Sequence, residues 1–291
     1  MKQLLSLLLF SMGQVVVLSA QSPEARHLKE EISFYMDVTV HAESGDHRVR
    51  ANEHLTACLD SFINLPGSFR FSLDSIPGLS VLYGDDFRVI SWQIKISEEE
   101  YKYGCLMQWP DHFVKFKDAR PFLNGAAYAT FTPGTWYGCL YYEIIPFEYD
   151  KVKYYMLLGF NAETSLLNTK VADILDVTGP EPKLGVPLFF GPDATQSRII
   201  FTYADVSSAH LAYDKELKGI VYDHLIQMPG VGPEGEALPV SDGSLEAWIL
   251  KKGSWNYEAE VYDVKVKDPP MTDERKNRKE DKDIMGRPKK E

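Results

Sequence analysis

The sequence is short of the residues that usually carry chemistry. Its 291 residues include three cysteines, Cys58, Cys105 and Cys139, spaced 47 and 34 apart with no CxxC pair. A structural zinc site needs four ligands and a close pair to start from. His54 and Cys58 can share a helix face, but no second pair completes a set, so no metal is expected. HExxH and GxSxG are both absent, which removes the common zinc-protease and serine-hydrolase signatures. Positive charge is also scarce: 31 Lys and Arg stand against 42 Asp and Glu, for a net charge of −11. Such a body repels phosphate backbones and anionic surfaces, so nucleic acid is not an expected partner. After residue 20 no apolar run is long enough to span a bilayer.

What is present begins with a leader. Met1-Lys2 is a positive start, Leu4–Phe10 and Val15–Leu18 are apolar, and Ser19-Ala20 offers a small-residue cleavage site. Residues 1–20 therefore read as a secretory signal peptide, and the mature chain as exported to the periplasm or beyond the cell, with no transmembrane segment.

Residues 21–70 carry helical spacing. Ser22-Pro23-Glu24 is a cap with proline at the first helical position, followed by Leu28, Ile32, Tyr35 and Met36. A second helix is expected from Asp46 as cap to about Asn64, with Leu55, Cys58, Leu59, Phe62 and Ile63 on one stripe. The pair should form a helical hairpin that lays one face on a larger body.

Residues 71–267 change texture to aromatic and β-branched runs with turn signals between them. In FRVISWQIKI, Ile90, Trp92, Ile94 and Ile96 share a face, with Arg88 at the solvent edge. WYGCLYYEII and KVKYYMLLGF read as a hairpin covered on both faces, turning at Glu148–Lys151. RIIFTYAD aligns Ile199, Phe201 and Tyr203. Two further hairpins turn at Asp214–Gly219 and Lys251–Ser254, and LLNTKVADIL is expected to form one short helical turn. About ten to twelve strands in consecutive hairpins predict a mainly β fold, an antiparallel meander that is propeller-like or barrel-like. Residues 268–291 mix eight basic with seven acidic groups and no aromatic residue, the composition of a disordered charged tail.

Several of these stretches occur together: ANEHLTACLDSFINLPGSFRFSLDSI, DDFRVISWQI, WYGCLYYEIIP, KVKYYMLLGFN and GIVYDHL. In this order, over about residues 46–266, they resemble a family of uncharacterised secreted proteins common in Bacteroidetes. The resemblance implies secretion and carries no activity, cofactor or catalytic residue to particular positions. The cysteines and the charged tail lie outside its pattern.

YGCL occurs twice, at Tyr103–Leu106 and Tyr137–Leu140. Were the two strands antiparallel neighbours, Cys105 and Cys139 would face closely enough for a disulfide; otherwise the thiols serve as small buried hydrophobes. Asp223-His224 is the most suggestive polar pair, although alternation along a strand points the two to opposite faces. Asp85, Asp86, Glu143, Asp205, Asp223 and Asp242 are the carboxylates a glycan hydrolase would draw on. Trp92 and Trp136 are candidate binding aromatics beside Asp223 and His224. The expected function is a non-enzymatic binding or structural module of the cell envelope, without a cofactor, its partner an envelope protein or a glycan. The second reading is a periplasmic hydrolase acting on glycans through a carboxylate pair.

Overall fold

A computed structural model of the chain describes residues 23–120, 125–259 and 261. The signal peptide and the charged tail expected from the sequence lie outside the described residues, as does Ser22. Two helices come first, α1 (Pro23–His41) and α2 (Gly45–Ile63). The sequence places the second cap at Asp46, but Ser44 takes the extended cap conformation and α2 starts at Gly45. Glycine is required there because a Cβ would overlap the Ile96 carbonyl. At the other end the Asn64 amide donates to the Asp60 and Phe62 carbonyls, tightening the last turn.

The first sheet is an antiparallel meander of β1 (Ser80–Tyr83), β2 (Arg88–Lys95), β3 (Tyr101–Gln108) and β4 (Phe113–Phe116). Ile90, Trp92, Ile94 and Leu106 on one face meet Ile32, Met36, Leu55, Leu59 and Phe62 of the helices. The helical hairpin thus roofs this sheet.

The second sheet orders β5 (Leu140–Tyr149), β6 (Val152–Ala162), β7 (Leu167–Asp176) and β11 (Arg198–Ala204), with β8 (Lys183–Leu184) also on β7. Asp150 and Lys151 join β5 to β6 with φ of 48° and 63°, the left-handed pair that matches strand twist in a tight hairpin. The third sheet runs β9 (Phe189–Phe190), β10 (Thr195–Gln196), β12 (Leu211–Asp214), β13 (Gly219–Met228), β14 (Leu238–Lys251) and β15 (Ser254–Glu258) in the spatial order β10-β9-β15-β14-β13-β12.

Two cores separate the three sheets. Val89, Tyr103, Cys105 and Met107 pack on Tyr141, Tyr155, Leu157 and Val171 between the first and second. Met156, Leu158, Ile174 and Phe201 pack on Ile220, Tyr222, Trp248 and Trp255 between the second and third. The molecule is therefore four layers, one helical and three β. The middle sheet lies between two cores, which is why β6 and β7 are buried almost continuously, while the edge strand β5 keeps Tyr142, Pro146 and Glu148 exposed.

This architecture corrects parts of the sequence reading. The described sheets are open and stacked, and none closes into a barrel; the cores lie between successive layers. One pair, β15 with β9, is parallel. Residues 167–176 form β7 and no helical turn, because Val171 and Leu175 fill one core while Ala172 and Ile174 fill the other. A strand buried on both faces mimics helical spacing. Arg88 is buried, not at a solvent edge. Its Nε and NH2 donate to Gln108 Oε1 at 3.0 and 2.6 Å, NH2 also reaches the Ser68 carbonyl at 3.2 Å, and NH1 donates to the Phe71 carbonyl at 2.7 Å. Burial pushes this guanidinium below its usual pKa. It ties the loop after α2 to the sheet.

Candidate functional site

β4 pairs with β3 only over Cys105–Gln108, so among the described residues no strand lies beyond the Tyr101–Gly104 edge. The chain after β4 turns away: Lys117 donates its amide to Pro133, Ala119 its amide to Trp136. α2 passes above. The space left between α2, β3 and this departing segment is a cavity of about 660 Å³.

Its apolar lining comes from Trp92, Ile94 and Leu106 on the helix-facing side of the sheet and from Phe116 on the other face. Gly104 makes room for the Trp92 ring, since any Cβ there would overlap it. The Trp92 indole donates to Asn52 Oδ1 at 2.7 Å, and the Asn52 carbonyl accepts from Thr56 Oγ1 at 2.8 Å. The Trp92–Asn52 bond ties α2 to the sheet as one wall.

The opposite wall is charged. Asp118 accepts from the Tyr103 amide at 3.3 Å and from the Arg120 amide at 3.2 Å. Arg120 donates to the Tyr101 carbonyl at 3.2 Å and lies over the Tyr103 ring, 5.6 Å from its centre. Asp118 and Arg120 stand where a further strand would bond, a charged blunting of an open edge. Burial raises the Asp118 carboxyl, and Arg120 opposes that rise. At the roof Asp60 pairs with Lys115. Two buried polar atoms of lining residues have no hydrogen-bond partner among the described residues, Asp60 Oδ1 and an Arg120 terminal nitrogen, NH1.

Of the residues singled out in the sequence, Trp92 borders this cavity. Trp136 is fully buried, its indole donating to the Tyr141 hydroxyl at 3.0 Å. Asp223 and His224 lie elsewhere, on β13. The β13–β14 ladder steps from Asp223↔Leu245 to Leu225↔Ser241, so His224 sits in a bulge opposite residues 242–244. There His224 Nδ1 lies 2.9 Å from Asp242 Oδ2, and Nε2 lies 3.9 Å from Glu246. Asp223 instead accepts from the His210 amide and, at 2.7 Å, from the Ser241 hydroxyl. The Ser244 hydroxyl and amide, then His224, hold the Asp242 carboxyl down at about 2. None of the six carboxylates drawn from the sequence lines the cavity. Asp85 is engaged with Lys153, and Asp205 with Asn168.

Cys105 and Cys139 are free thiols, as is Cys58. The two YGCL segments are not neighbours in one sheet: Cys105 is on β3, while Cys139 leads into β5 of the next layer and packs over Gly159. Both thiols fill the same inter-sheet core, where burial pushes them well above the ordinary thiol pKa. They are unsuited to nucleophilic work. Among the described residues no group of three or more His, Cys, Asp or Glu is arranged to hold a metal ion, and no helix is long and apolar enough to cross a membrane.

Asn52, Asp60, Asp118 and Arg120 escaped the sequence reading. One signal was available: a lone glycine inside a strand, as in YGCL at Gly104, marks a close approach. Compared with known proteins, the chain matches no family model, no curated protein and no solved structure.

Proposed function

We propose that the protein is an exported, non-enzymatic binding module of the cell envelope, and that the cavity between α2 and β3 is its ligand seat. The observation that carries this reading is the cavity itself: its size and largely apolar lining suit a small-molecule or side-chain guest. Its polar groups are mostly spent on holding walls, as in Trp92–Asn52, Asp118–Tyr103 and Asp60–Lys115. The leader sequence and the resemblance to secreted Bacteroidetes proteins support export.

One observation favours the glycan hydrolase as a second reading. A carboxyl raised by burial, as Asp118 is, is what a general acid requires. Such an enzyme also needs a second carboxylate about 5–10 Å away across the sugar. The other acids lining the cavity are Asp60, bound to Lys115, and Glu99 and Glu100.

A plug variant tests the seat. Thr56→Trp projects an indole from α2 into the cavity and should abolish binding of naphthol, a neutral apolar probe, measured by calorimetry. Thr56→Ser should leave it intact. Equal binding by wild type and a folded plug variant refutes the seat. Release of reducing sugar from envelope glycans by wild type but not by Asp118→Asn would replace the binding module with the hydrolase.

A further inference from the structure

On the reading that this cavity is the ligand seat, we infer that it takes the free amino end of a short apolar peptide. Three observations converge. First, the lining holds four acidic side chains, Asp60, Glu99, Glu100 and Asp118, against three basic ones, Lys102, Lys115 and Arg120. A net negative wall admits a cation or a neutral guest more readily than an anion.

Second, the two unmatched buried atoms have opposite requirements. Asp60 Oδ1 needs a donor; its partner oxygen is already on Lys115. Asp60 lies in the last turn of α2, where the helix dipole is negative and favours a cation. The Arg120 NH1 nitrogen needs an acceptor; NH2 is already on the Tyr101 carbonyl. Unpaired buried groups cost free energy that a matching guest removes. Both atoms are closed to solvent, so the guest reaches them as the Asp60 and Arg120 side chains rotate toward it.

Third, Ile94, Leu106 and Phe116 line the same cavity and give apolar side chains a surface to rest on. A peptide amino end supplies all three complements: an ammonium for Asp60, a backbone carbonyl for Arg120 and aliphatic side chains for the apolar surface. A simple alkylamine lacks the carbonyl, and a fatty carboxylate has the wrong charge.

The test uses the whole chain and three probes with the same aliphatic body: leucyl-leucinamide, its N-acetyl derivative and leucyl-leucine. Calorimetry should show leucyl-leucinamide binding at least about tenfold tighter than the acetylated probe, and leucyl-leucine no tighter than leucyl-leucinamide. Asp60→Asn should erase the preference for the free amine. Arg120→Gln should weaken the acetylated and free probes alike. Equal binding of the acetylated and free probes to wild type overturns the inference without recourse to any variant, as does a preference that survives Asp60→Asn. Naphthol separates the two levels: if it binds and no peptide does, the amino-end assignment falls and the seat stands; if neither binds, the seat itself falls.

Discussion

Arg198 and Asp173 make the sharpest test of how the layers are held. Neither side chain is exposed. Arg198 Nε reaches Asp173 Oδ2 at 2.7 Å and NH2 reaches Oδ1 at 2.9 Å, a bidentate pair between β11 and β7. NH1 donates to the Ala126 carbonyl at 2.7 Å, and the guanidinium lies 4.2 Å from the centre of the Phe131 ring. Arg198→Met leaves Asp173 buried with no counter-charge. Removing one partner of a buried pair costs about 3–5 kcal/mol, a large part of the ~5–15 kcal/mol that stabilises a domain. With a urea dependence of roughly 2–3 kcal/mol per molar, the unfolding midpoint should fall by about 1–2.5 M. Arg198→Met with Asp173→Leu should recover most of the loss, because the stranded charge goes with its partner. The pH dependence has a definite sign. Burial already raises Asp173, and Arg198 opposes it; without Arg198 the carboxyl rises further above its unfolded value. The penalty in Arg198→Met is then greatest at neutral pH and shrinks as acid protonates Asp173. A single variant less than about 1 kcal/mol weaker than wild type, or a double variant no better than the single, refutes the reasoning.

Three further outcomes follow from the geometry. Gly104→Ala drives a methyl into the Trp92 ring and should cost about 1–3 kcal/mol by overpacking, with a red shift in tryptophan emission as Trp92 moves; an unchanged spectrum and midpoint would count against the packing. Asp242 should titrate at about 2 by NMR, and its contribution to stability, present above the ordinary carboxylate range, should disappear as pH falls through that value. Ser244→Ala should raise that midpoint more than His224→Gln does. A thiol-reactive probe should label three cysteines in the unreduced, unfolded protein; labelling of one would mean that Cys105 and Cys139 are bridged.

Much of the layer plan was legible in residue patterns. The stripe Ile90, Trp92 and Ile94 announced a face, and the α2 stripe Leu55, Leu59 and Phe62 announced its cover. The doubly apolar β6 announced a buried middle sheet, whereas β5, expected to be covered on both faces, keeps Tyr142, Pro146 and Glu148 exposed. What hid were features that depend on distant contacts. Arg88 looks like a surface residue until Gln108 and the Ser68 and Phe71 carbonyls surround it. β7 looks partly helical because two cores claim its alternate residues. His224 meets Asp242 only because of a bulge, which strand alternation does not anticipate. The cavity was invisible for the same reason: it exists because β4 is shorter than β3 and its continuation departs toward Trp136. No local pattern records where a neighbouring strand stops.

The most direct test of the binding account is the Trp92 indole resonance. Its N–H is held by Asn52 at the cavity wall, whereas the Trp136 indole is fixed to Tyr141 in the core. In a titration of the protein with naphthol, followed by ¹H–¹⁵N NMR, the Trp92 indole and the Tyr101–Leu106 amides should shift saturably while the Trp136 indole stays in place. Saturable shifts confined to other parts of the molecule, or none at all, would contradict the account.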